Sequence, residues 1–170
     1  MLADYIEISV PSSLHSYILH TTGGDTIHPG KNGVLWAVIK QHLICYTSWM
    51  KEVGGNAHPS GQKIKIELLR KNGAHVPGKE ISINTSSRKY ISLKGSRIIV
   101  RLLISEFQKT FLDYMAGATM ANPQLNIKDT INIFCDDYGL DFLRDYEMLK
   151  KRWYRFRMRP PSEQNSLLNM

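Results

Sequence analysis

The chain opens on an alternation of apolar and polar positions, with Ile6, Ile8 and Val10 separated by Glu7 and Ser9. Period two is the signature of a half-buried strand, and Pro11 ends it. Ser12 or Ser13 is then placed to cap a short helix through Tyr17, Ile18 and Leu19, which Gly23-Gly24-Asp25 stops by supplying backbone freedom. Residues 24 to 33 are dense in turn formers and predict a loop. Beyond it Val34, Leu35, Val38, Ile39 and Leu43 recur at helical spacing, which predicts a second helix from about residue 33 to about 47.

Residues 51 to 62 are rich in Gly and Pro and read as a loop. Lys63-Ile64-Lys65-Ile66-Glu67-Leu68 alternates again, as does Glu80-Ile81-Ser82-Ile83 after a turn holding Asn72-Gly73 and Pro77-Gly78. With the opening strand these predict a small antiparallel sheet of three strands. From Ser92, a plausible cap, the period changes to 3.6: Ile99, Leu103, Phe107, Phe111 and Tyr114 form one apolar face flanked by Val100 and Ile104. A long helix is expected to about Ala116, with a break over Gly117 to Pro123. A further helix starts at Asn126 or Asp129 and ends at Tyr138-Gly139, and a last one, capped by Asp145, runs from Tyr146 to about Met158, where Pro160-Pro161 stops it. The expected class is α+β: residues 1–90 form a small α+β part, 91–159 a helical part, and 160–170 a polar, frayed tail.

Composition adds little until charge is considered. At 170 residues, 42% hydrophobic and 22% charged, the chain falls in the ordinary globular range, which excludes wholesale disorder and fibrous classes. Its formal charge is +7. Residues 1–85 carry 8 Lys/Arg against 6 Asp/Glu and residues 86–170 carry 14 against 9, leaving +2 and +5. Lys150 to Arg159 alone holds six basic residues and no acid. A basic surplus of this kind suits a polyanionic partner. Absence of a long apolar run and of a secretory leader predicts a cytoplasmic protein with no membrane association. Cys45 and Cys135 are far apart and outside any CxxC pair, so they are read as buried free thiols.

The final helix is where patterning and charge meet. Leu149, Trp153 and Phe156 fall in one sector, with Tyr146 close by, and this stripe is expected to dock on the protein. The opposite arc carries Lys150, Lys151, Tyr154, Arg155 and Met158, with Arg152 and Arg157 on its shoulders. Cations interleaved with a phenol suit a phosphate backbone, because each cation displaces condensed counterions. Asp136, Asp137, Asp141 and Asp145 precede the basic run. That distribution complements the helix dipole and equally fits a solvated face with no ligand. Residues 127–158, a helix, a Gly-containing turn and a basic helix, resemble a helix-turn-helix unit, whose second helix enters the major groove. The predicted connection Gly139–Arg144, of about six residues, exceeds the usual turn of about 3–4. A second stripe, Lys94, Arg97 and Arg101, lies on the long helix with Arg88 and Lys89 upstream, and would support the first if the two elements pack side by side.

Catalytic patterns are missing. The six histidines are scattered, with no HExxH and no zinc-site spacing. Dinucleotide, P-loop and GxSxG signatures are lacking, and Asp136-Asp137 point apart on a helix. The expectation is a non-enzymatic protein without cofactor or metal that binds nucleic acid, with DNA favoured and RNA left open, as a small transcriptional regulator or accessory factor of a DNA-processing complex. Contacts are expected from Lys150, Lys151, Tyr154, Arg155 and Arg157, supported by Arg97 and Arg101. The competing expectation is a protein-interaction subunit docking an acidic partner within an assembly.

Overall fold

Ile6, Ile8 and Val10 of the first strand, β1 (Tyr5–Val10), are buried while Tyr5 and Glu7 are exposed, as the alternation requires, although Ser9 is buried as well. The computed structural model describes residues 5–30, 32–45, 61–68, 89–160 and 164. After β1 come α1 (Ser12–Thr22), β2 (Thr26–Ile27), α2 (Val34–His42), β3 (Leu43–Cys45), β4 (Gln62–Glu67) and β5 (Lys89–Ile91). Three helices follow: α3 (Leu93–Ala121), α4 (Ile127–Asp137) and α5 (Phe142–Arg157). The architecture is α+β. Two compact units divide it, one of Met1–Val10 and Asp25–Arg101, the other of Pro11–Gly24 and Leu102–Met170.

In the first unit β4 is central, with sheet order β1-β4-β2. β1 runs antiparallel to β4, from Tyr5 opposite Glu67 to Val10 opposite Gln62. The sheet is mixed, not wholly antiparallel as expected, because β2 pairs parallel to β4 through Thr26–Lys65 and Ile27–Ile66. Turn-forming neighbours hid this two-residue strand in the sequence; the Lys65 N–H donating to the Asp25 carbonyl at 2.7 Å leads into it. The strand expected at Glu80–Ile83, its turn and the loop 51–62 lie outside the described residues. α2 is shorter than the periodicity predicted. At Leu43 the backbone turns extended, β3 pairs antiparallel with β5, and the Ser92 N–H donates to the His42 carbonyl at 3.2 Å. Strand pairing there outweighs a helical pattern only weakly supported by residues 43 to 47.

Ser92 does cap α3: its Oγ accepts the Gly95 N–H at 3.0 Å. Gly95 has a packing reason. A Cβ there would overlap His42 Cβ and come within 2.9 Å of Ile91 Cγ2. α3 does not break at Gly117 but continues to Ala121. One interior glycine costs only about 1 kcal/mol, less than a helix with a buried face can absorb, and it is Pro123 that disfavours helix just before it.

The second unit has an aromatic centre. Phe134 of α4 lies 5.0 Å from Phe111 and 5.2 Å from Tyr114 of α3, and 4.5 Å from Tyr138, centroid to centroid. Tyr17 of α1 joins it, 4.9 Å from Phe107 and hydrogen-bonded to Thr110 at 3.0 Å. Ser12 and Ser13 do not cap α1; its cap position is Pro11, with no side-chain hydrogen bond. Gly23, at φ 71°, ends it as expected. Cys135 is buried, and desolvation, reinforced by the carboxylates of Asp145, Asp136 and Asp141, pushes its thiol up to about 12.

Candidate nucleic-acid interface

The geometry of α5 begins at the end of α4. Asn126 caps α4 by accepting the Lys128 N–H at 3.0 Å. At the other end Gly139 takes φ 64°, its N–H donates to Asp136 O at 3.4 Å, and the Leu140 N–H donates to Cys135 O at 2.8 Å. These two bonds are a Schellman stop, with Leu140 buried behind it. Asp141 then caps α5, its Oδ1 accepting from Leu143 N at 3.0 Å and Arg144 N at 3.3 Å. The connection is therefore Tyr138–Asp141, shorter than predicted, and the cap is Asp141 rather than Asp145. The tetrapeptide Tyr-Gly-Leu-Asp carried that signal: a left-handed glycine, an apolar residue and an N-cap in succession.

Asp145 has a different role. It is buried and takes a bidentate pair from Arg144, 3.0 Å to Nε and 2.8 Å to Nη2. Leu149, Trp153 and Phe156 are buried, with Trp153 and Phe156 stacked at 5.6 Å. The Trp153 indole N–H has no partner among the described residues. One face of α5 is thus committed to the interior of its unit.

The opposite face carries the predicted residues. Lys151, Tyr154, Arg155 and Arg157 are exposed and Lys150 is half-buried. Lys151, Tyr154, Arg155 and Met158 are spaced i, i+3, i+4 and i+7, a single stripe at about 100° per residue. Among the described residues no carboxylate lies within ion-pair distance of Lys151, Arg155 or Arg157. Lys150 differs. Its ammonium sits 3.7 Å from Glu147 and 5.3 Å from the Tyr146 ring centroid, and Glu147 foremost, then Tyr146, raises its pKa. Arg152, on the shoulder, is also engaged. With the amide of Gln108 oriented oxygen-first, that oxygen accepts from Arg152 Nη1 at 2.8 Å and Nη2 at 2.9 Å. Burial foremost, and then Arg155, lowers the Arg152 pKa.

Arg97 and Arg101 belong to the first unit, where with Lys94 they are exposed along the opening turns of α3. Arg88 lies outside the described residues, and of Lys89 only the backbone is described. The described His, Cys, Asp and Glu side chains form no cluster of three suited to a metal ion. No helix of the described residues is long and apolar enough to cross a membrane. No protein-family model matches the chain, and no curated protein or solved structure is significantly similar to it.

Proposed function

We propose that this protein binds nucleic acid, DNA foremost, through the outer face of α5, without catalysing a reaction, as an accessory factor or small regulator. The observation that carries the proposal is the exposure of Lys151, Arg155 and Arg157, which have no carboxylate within ion-pair distance among the described residues, on a helix whose other face is buried. Cations that already had internal carboxylate partners would have to break them to meet a phosphate; these have none among the described residues. A buried aromatic anchor adds rigidity, so the cations are presented from a fixed backbone. The short Tyr138–Asp141 connection favours a helix-turn-helix-like pair. Acids gather at the start of α5, however, with Asp141 as cap and Glu147 exposed within its first half, so contact through its basic C-terminal half with the phosphate backbone is favoured over base reading by its first turn.

A protein-interaction role is supported by a separate observation: Leu143 is 91% exposed and Met158 86% exposed, apolar surface that an acidic, partly apolar partner could cover. A salt titration separates the two. For a phosphate binder, log affinity falls linearly with log salt, with a slope of about −0.9 per neutralised phosphate on duplex DNA. Absence of binding to duplex, single strands and RNA alike at low salt would remove the nucleic-acid proposal and leave the protein partner.

A further inference from the structure

We infer that the form of nucleic acid this face selects is an unpaired strand, with Tyr154 stacking on a base between the phosphate contacts of Lys151 and Arg155; this rests on the nucleic-acid reading above. Tyr154 is 43% exposed in the last turn of α5, which buries Trp153 and Phe156 on its other side. Its phenol takes part in none of the hydrogen bonds among the described residues, and its ring has no aromatic neighbour among them. An exposed ring flanked by cations one residue and three residues away offers a π face beside two charges, the arrangement by which proteins hold unpaired bases. Met158 extends the same stripe by one turn with a polarisable thioether, 86% exposed.

Duplex DNA uses this stripe poorly. Its bases are stacked and its edges lie at the floor of a groove, so the Tyr154 ring would meet only sugar and phosphate. A helix that enters the major groove does so with its first turns, and here those turns bring Asp141 and Glu147 toward flanking phosphates. From Lys151 to Met158 the stripe rises only about 10 Å along the helix. That is enough for a short run of one strand.

Fluorescence anisotropy of the full chain with labelled oligo-dT, oligo-rU and a mixed-sequence duplex of the same length tests the inference. One of the single strands is expected to bind several-fold more tightly than the duplex, and the stronger of the two names the sugar. Tyr154→Ala should weaken single-strand binding roughly 5-fold or more, Tyr154→Phe should retain it, and retention of Tyr154→Ala on heparin, a polyanion without bases, should be unchanged. Tighter binding of the duplex, or a Tyr154→Ala variant indistinguishable from the parent on both single strands, overturns the inference while leaving phosphate binding intact. Binding to none of these polyanions removes both.

Discussion

The sheet of the first unit and the last helix of the second both carry several cations, and they dispose of them in opposite ways. On the sheet Lys63 pairs with Glu7 at 3.0 Å, Lys65 with Asp25 at 2.9 Å, and His28 Nδ1 lies 2.6 Å from Glu67. The Asp25 carboxyl is held below its usual range by the Lys65 bond first and the Thr26 hydroxyl second. On α5 Arg144 pairs with Asp145 and Lys150 lies near Glu147, whereas Lys151, Arg155 and Arg157, further along the helix, are exposed with no carboxylate within ion-pair distance among the described residues. Net charge alone therefore misleads about where a polyanion would bind. What matters is which positive groups the fold has left without a partner, since exposed pairs contribute little stability but do occupy the charge.

The largest effect that would break this contrast is loss of the anchor. Trp153→Ala should destabilise the second unit by about 3–5 kcal/mol, the usual range for deleting a buried aromatic, and urea denaturation followed by circular dichroism measures it. A loss near zero would mean that the inner face of α5 is not packed, and its outer face then has no reason to be fixed.

Next in size is a thiol effect confined to the same unit. Cys135 stays protonated when folded until about pH 12, whereas an unfolded thiol titrates near pH 8.5. Between those values the folded state binds more protons than the unfolded state, so stability falls as pH rises, by about 1.4 kcal/mol per pH unit. Below about pH 8.5 both states are protonated and the thiol makes no difference. Comparing the pH dependence of unfolding with that of Cys135→Ala isolates the slope; identical profiles would show the thiol to be solvent-accessible.

Charge reversal sharpens the contrast directly. Lys151→Glu with Arg155→Glu should weaken binding roughly tenfold or more with the melting temperature little changed, whereas Lys63→Glu, already paired on the sheet, should leave binding as it was. Equal losses from both would show that the two regions act alike as diffuse charge.

The smallest expected effects have opposite signs on one helix. Gly117→Ala meets open space and should stabilise by about 0.5–1 kcal/mol. Gly95→Ala should instead destabilise, since its Cβ overlaps His42. Thermal unfolding of the two variants, shifting in opposite directions, is the expected result.

Much of this was legible in the chain. β1, β4, the apolar face of α3 and the buried stripe of α5 follow from periodicity, and so does the exposure of Tyr154 and its basic neighbours. What periodicity misses depends on distant partners. β2 is a strand only because β4 lies beside it, and α2 stops because Leu43 finds Ile91. Tyr17 joins the aromatic centre through Phe107 and Thr110, some ninety positions away. The engaged state of Arg152 is of the same kind: on a helical wheel it looks as available as Arg157, yet Arg152 is half-buried and bonded to Gln108 while Arg157 is exposed.

The most direct measurement is the salt dependence of single-strand binding for the parent protein beside Lys151→Gln/Arg155→Gln, which removes two charges without adding any. If each cation neutralises one phosphate, the slope of log affinity against log salt becomes shallower by about 1.4, at roughly 0.7 per contact. Parallel lines, displaced or not, would show that these side chains do not touch phosphate and would contradict the assignment of α5 as the binding face.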